Sequence, residues 1–135
     1  MVKQPLLAIE YRKVPPVNDL SSRTPQEIFQ SHGKALLAED LDGIVANYAP
    51  DAAFITPSGV RHGRDGVREG FAQLFADLPH AKWDLTIQTF EGDVLFLEWS
   101  ADSDTSRAQH GVDTFVFRDG LIQTQTVRYA LTPKS

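Results

Sequence analysis

The pair Asp119-Gly120, set between two runs of β-branched and aromatic residues in HGVDTFVFRDGLIQTQTVRY, constrains this chain more than any other feature. Both central positions of a two-residue hairpin turn need positive φ, which these residues tolerate, so two adjacent antiparallel strands are predicted over residues 110–129. Alternation then sets Asp113, Phe115 and Phe117 on one face of the first strand, and Gln125, Val127, Tyr129 and Leu131 on the same face of the second. A carboxylate thus stands in an apolar row. Burying it unpaired costs several kcal/mol, so Asp113 finds a donor, lines a solvated cavity, or faces outward with the opposite parity.

Upstream, residues 1–23 carry three prolines and no helical period, which reads as an arm; Leu7, Ile9 and Tyr11 alternate with Ala8, Glu10 and Arg12 as an edge strand would. Thr24-Pro25-Gln26-Glu27 is a capping box with proline at the first helical position, opening a helix to about Ala38. Its apolar face holds Ile28, His32, Ala35 and Leu36. Asp40 caps a second helix through Leu41, Ile44, Val45 and Tyr48, which Pro50 ends. Ala52 to Thr56 reads as a strand, Pro57-Ser58-Gly59 as a turn, and GVRHGRDG as a glycine-rich connection into a third helix striped by Val67, Phe71, Leu74, Phe75 and Leu78. Trp83 to Phe90 and Val94 to Ala101 form two more strands around Glu91-Gly92-Asp93, with Leu95, Leu97 and Trp99 inward and Glu98 outward. The stretch from Asp102 to Arg107 is a polar loop. This order predicts an α+β fold: a cone-shaped, curved antiparallel sheet with three helices covering its concave face.

The 135 residues suit a single domain, 24–135, behind the arm. With no cysteine, disulfides, thiolate nucleophiles and cysteine zinc sites are excluded. A net charge of -5 and no basic run longer than a pair argue against nucleic acid as a partner. The longest early apolar run, Leu6 to Ile9, is too short for a secretory segment and nothing approaches a membrane span, so a soluble cytoplasmic protein is expected. His62, His80 and His110 lack metal-ligand spacing, and Asp102 with Asp104 lacks the rest of a calcium loop; neither metal nor cofactor is expected.

The capped first helix, the stretch DLDGIVANYAPDAAFITPSG, the segment HGRDGVREGF and the closing GVDTFVFRDGLIQTQTVRY together resemble the nuclear transport factor 2-like superfamily, specifically its SnoaL-like and ketosteroid-isomerase-like branch. The resemblance covers residues 24–131. Ketosteroid isomerases carry a tyrosine in helix 1, a carboxylate base before the proline that follows the first strand, and a protonated acid on a late strand. Overlaying that pattern puts His32 at the tyrosine, Thr56 at the base and Asp113 at the acid. Thr56 has no useful basicity near neutral pH, so isomerisation by the family mechanism is not expected. SnoaL-like cyclases are similar in relying on a pocket aspartate, which keeps Asp113 as a candidate base.

The resulting expectation is a pocket for a small apolar or aromatic molecule, with His32 and Asp113 as an acid–base pair within hydrogen-bond reach, directly or through one water. Its expected walls are Leu36, Tyr48, Phe54, Thr56, Phe71, Phe75, Trp99, Phe115, Gln125, Val127 and Tyr129. Two functions fit: an isomerase, cyclase or hydrolase transferring protons on a small carbonyl or polycyclic substrate, or a noncatalytic ligand-binding or dimerisation module. A homodimer is expected, because Val112, Val116 and Ile122 occupy the uncovered convex face; many relatives implied by the resemblance pair through it.

Overall fold

The computed structural model describes residues 17–134, with the side chains of residues 17–19 left aside. The edge-strand reading of Leu7, Ile9 and Tyr11 lies outside the described residues. Nine elements follow a short 3-10 helix, Val17–Ser22: α1 (Pro25–Leu37), α2 (Leu41–Val45), β1 (Tyr48–Thr56), β2 (Gly59–His62), α3 (Gly63–Asp77), β3 (Lys82–Glu91), β4 (Val94–Asp102), β5 (Ser106–Arg118) and β6 (Leu121–Pro133). The strands form one curved sheet in the order β2-β1-β6-β5-β4-β3, antiparallel throughout except where β1 runs parallel to β6.

Local chemistry accounts for most of these elements. Thr24 Oγ1 accepts from the Glu27 amide at 3.1 Å while Glu27 Oε1 accepts from the Thr24 amide at 2.8 Å, so two otherwise orphaned donors start α1. Asp40 Oδ1 accepts from the Gly43 amide at 3.0 Å and starts α2 in the same way. Asp119 and Gly120, at φ 53° and 77°, turn β5 into β6 as the dipeptide demands.

That turn is also a docking point. A Cβ on Gly120 would lie 1.8 Å from the Leu20 carbonyl oxygen, so only glycine lets the 3-10 helix settle here. Arg23 fastens it, donating to Asn47 Oδ1 at 2.9 Å and to the Gly120 carbonyl at 2.8 Å.

Two expectations need correction. The second helix ends at Val45, and Tyr48 opens β1 instead of closing the helix, so the first strand is longer than the predicted Ala52 to Thr56. Pairing with β6 begins at Tyr48 opposite Ile122 and slips before Ala53 meets Thr124, so Pro50, which has no amide to donate, falls in an irregularity of the ladder. GVRHGRDG is not simply a connection: Gly59–His62 folds back on β1 as β2. All four of its residues are exposed, so no apolar alternation advertised the strand.

The core lies between the concave sheet face and the helices, where Ile28, Phe29 and Leu36 of α1 and Val67, Phe71 and Leu74 of α3 meet Leu95, Leu97, Phe115 and Val127. Gly70 brings α3 close to β1, since a Cβ there would sit 2.5 Å from the Phe54 ring. Among the described residues no helix is long and apolar enough to cross a membrane.

Candidate functional site

Asp113 faces inward because β5 changes parity partway along. Ala108 is buried, Gln109 and His110 are exposed, and Gly111, Asp113, Phe115 and Phe117 are buried, so one residue too many separates the two inward sets. The extra residue is absorbed as a bulge: pairing with β6 slips between Gln109 and Val112, pairing with β4 slips between Trp99 and Ala101, and His110 adopts φ 61°.

The inward carboxyl is 6% exposed and held at both oxygens. Trp99 Nε1 donates to Oδ1 at 3.0 Å and Gln125 Nε2 donates to Oδ2 at 2.9 Å. Both donors follow from register. Asp113 stands opposite Leu97 on β4 and Val127 on β6, so Trp99 and Gln125 are its diagonal neighbours on the same face. Gly111, directly opposite Trp99, makes room for the indole: a Cβ there would lie 2.2 Å from the ring. Behind Gln125, the buried Tyr48 hydroxyl donates to Gln125 Oε1, which fixes the amide so that its nitrogen points at Asp113.

These groups line a cavity of about 450 Å³ between α1, α3 and the sheet, inside the range of about 300–1,000 Å³ typical of small-molecule sites. Of the residues expected to form it, His32, Leu36, Phe54, Thr56, Phe71, Trp99, Asp113, Gln125, Val127 and Tyr129 lie in its wall. Tyr48, Phe75 and Phe115 do not. Tyr48 and Phe115 are wholly buried one layer behind the wall, and Phe75 packs sideways on Trp83 at 6.5 Å between ring centroids. Helical period and strand parity identify an inward face but not how many side chains deep the cavity floor lies.

The wall also contains residues the sequence did not single out, among them Phe29, Arg61, Gln73, Asp77 and Leu85. Arg61 went unnoticed because β2 did; Gln73 and Asp77 lie off the apolar stripe of α3. Asp77 is fixed by two donors, Gln73 Nε2 at 2.9 Å and the Tyr129 hydroxyl at 2.7 Å. Thr56 sits in the wall, but its hydroxyl is taken up by the β1–β2 turn, 3.0 Å from Ser58 Oγ and accepting from the Ser58 amide at 3.2 Å.

His32 and Asp113 both line the cavity, and no direct hydrogen bond joins them. Asp113 is already engaged by Trp99 and Gln125, whereas His32 packs among the rings of Phe29, Tyr48, Phe71 and Phe115 at centroid distances of 5.9, 6.0, 5.4 and 5.4 Å. Its Nδ1 is buried and makes no hydrogen bond to the protein. Burial lowers the His32 pKa to about 4, so the ring is uncharged at neutral pH. Burial raises Asp113 to about 7, against the opposing pull of the Trp99 and Gln125 donors, which favour the ionised form. The Tyr48 hydroxyl is pushed up by burial and then by the Asp113 charge. Among the described residues, no group of three or more acidic or histidine side chains is placed to hold a metal ion.

An α+β cone whose helices roof a cavity, with a buried carboxyl at its floor, is an architecture that several chemistries share. The chain belongs to the SnoaL-like domain family of the nuclear transport factor 2-like superfamily, which matches residues 29–125. No functionally curated protein matches it in sequence. Among solved structures it is similar to IdmH of Streptomyces antibioticus, provisionally assigned as a polyketide cyclase: 17% identity, TM-score 0.66, 79% of this chain and 92% of that one. A protein of Kribbella flavida provisionally assigned as a ketosteroid isomerase is similar at 15% identity and TM-score 0.67, over 82% of this chain and 81% of that one. An NTF2-like protein of unknown function from Burkholderia xenovorans is similar at 22% identity and TM-score 0.67, over 82% and 86%. At these identities the likeness establishes the fold.

The opposite shifts of His32 and Asp113 make a testable signature. Between about pH 4 and 6.5 the folded protein holds a proton on Asp113 and none on His32, whereas the unfolded chain, with ordinary values of 3.8 and 6.5, does the reverse. One proton is bound in each state, so the pair contributes no net pH dependence there. Asp113→Asn leaves the His32 contribution alone, and stability relative to wild type should then fall on acidification through this window by about 1.4 kcal/mol per pH unit. His32→Leu should give the opposite slope. Urea unfolding across the window measures both, and parallel profiles for wild type and both variants would contradict the assignment.

Proposed function

We propose that the cavity binds a small apolar or aromatic carbonyl compound and that Asp113 transfers a proton on it, as in an isomerase, cyclase or hydrolase. The observation carrying this reading is a carboxyl with both oxygens aligned by fixed donors, facing an apolar cavity, whose pKa burial brings to about 7. A general base works best when its pKa lies near the working pH, because it is then ionised often enough to accept a proton and basic enough to hold it. Ionised Asp113 takes a proton from carbon next to the carbonyl; the resulting carboxylic acid returns it elsewhere on the same molecule. His32, uncharged, offers a hydrogen bond to the substrate oxygen where charge develops.

Family resemblance supports a pocket aspartate in this role, and the solved relatives include proteins provisionally assigned as cyclase, isomerase and hydroxylase. The noncatalytic alternative draws on Thr56, whose hydroxyl is committed to the turn and supplies no base at the end of the first strand. The two separate cleanly. With a substrate found by screening enolisable ketones, lactones and epoxides, Asp113→Asn should lower kcat by about a hundredfold or more while ligand affinity changes far less. Turnover that survives both Asp113→Asn and His32→Ala in folded protein would take the proton transfer away from this pair, and ligands that bind without turnover would favour the binding module.

A homodimer through the outer sheet face belongs to the same proposal. Ile87, Val94 and Phe96 are exposed there, beside the half-buried Val112 and Val116, and the cross-strand pairs Val94–Val116 and Phe96–Thr114 make the patch continuous. Ile122, expected to contribute, is instead fully buried: a register slip between Val116 and Phe117 sets it against Phe117, on the inner side. Sedimentation at micromolar concentration should show a species of twice the 15.0 kDa chain, shifted to the monomer by Phe96→Glu; a single monomeric species for wild type would refute the dimer.

A further inference from the structure

The cavity wall is electrostatically one-sided. It contains two carboxylates, Asp113 at the floor and Asp77 at the C-terminal end of α3, against one guanidinium, Arg61. That guanidinium is shared with Glu69, whose Oε1 lies 3.3 Å from Arg61 Nη1, while Asp77 is held by the neutral donors Gln73 and Tyr129 and makes no ion pair among the described residues. Exposure places these groups along the cavity. Asp113 is buried, Asp77 and Tyr129 are half-buried, and Pro57, Ser58, Arg61 and Gln73 are exposed at the open end. A molecule entering past α3 and β6 therefore meets Asp77 before it reaches Asp113. The Tyr129 hydroxyl reports the same field: its pKa is raised by burial first, then by the hydrogen bond and charge of Asp77, then by the charge of Asp113.

We propose that this cavity excludes anions, so that its ligand is an uncharged or cationic molecule carrying no carboxylate or phosphate, with Asp77 as the residue that sets the selection. The inference rests on reading the cavity as a small-molecule site and narrows the substrate class. Two like charges at close range across a poorly hydrated wall repel, and Asp77, whose two donors hold its oxygens in place, has little freedom to swing away. A carbonyl compound approaching Asp113 suffers no such repulsion. An acid of the same shape does, at Asp77, before it reaches Asp113.

The test uses the full chain and three probes of one shape: acetylnaphthalene, naphthoate and naphthylethylamine, titrated calorimetrically at neutral pH. The amine separates charge selection from the general cost of desolvating any ion, which would weaken both charged probes alike. The expected order puts naphthoate weakest, about tenfold or more behind the amine, with the ketone bound. Asp77→Asn keeps an acceptor for Tyr129 but removes the charge, and should shrink the gap between amine and anion several-fold while leaving the ketone within about twofold. Added salt should shrink the same gap in wild type, a readout that needs no variant. Naphthoate bound as tightly as the amine overturns the selection while leaving proton transfer by Asp113 standing. A gap that persists unchanged in folded Asp77→Asn overturns the role of Asp77. Failure of all three probes to bind overturns the proposal together with the small-molecule reading beneath it.

Discussion

The buried carboxyl of Asp113, gripped by the Trp99 indole and the Gln125 amide, is the interaction on which the rest of the site depends. A carboxyl so far from water is tolerable only when its lone pairs are met and its charge can be given up. Both conditions reach deep into the sequence. The bulge at His110 aims the side chain inward, Gly111 leaves space for the indole, and Tyr48, from the far side of the β1–β6 junction, orients the Gln125 amide. Removing any one of these would leave the same aspartate with a different pKa or a different direction. The floor of the cavity is thus built around the position of one carboxyl.

The fold was largely legible because its strongest local signals agree with its tertiary demands. The capping box at Thr24, the Asp119-Gly120 turn and the alternation through β4, β5 and β6 each specify one conformation by backbone chemistry that long-range packing has no reason to override. What sequence hid was structure without a local signal: β2, four exposed residues without apolar rhythm, and the start of β1, where Tyr48 fits a helical period as well as a strand. Asp113 was legible as an anomaly, a carboxylate in an apolar row. Its donors were not, since diagonal neighbours are defined only once the registers of β4, β5 and β6 are fixed and a bulge has shifted one of them. Depth was equally invisible: Tyr48 and Phe115 point the right way but stop one layer short of the cavity.

The same geometry explains how this site departs from the isomerase pattern it resembles. With Thr56 drawn into the β1–β2 turn, the position that pattern gives to the base holds a hydroxyl committed to local structure. On the proposed reading basicity falls to the late-strand aspartate, while the helix-1 position carries an imidazole that burial among aromatic rings keeps neutral. Position on a shared fold therefore does not by itself assign a role; the environment of each group that faces the cavity has to be read separately.

The central claim is that Asp113 changes charge near neutrality inside the folded protein. Carbon-detected NMR of the aspartate side-chain carboxyls, with Asp113 identified by its absence in Asp113→Asn, follows that single group through a pH titration. The expected midpoint is about 7. A midpoint at the ordinary carboxylate value would mean that Trp99 and Gln125 hold a permanent anion, and Asp113 would then be a structural acceptor in a binding pocket instead of the group that moves a proton.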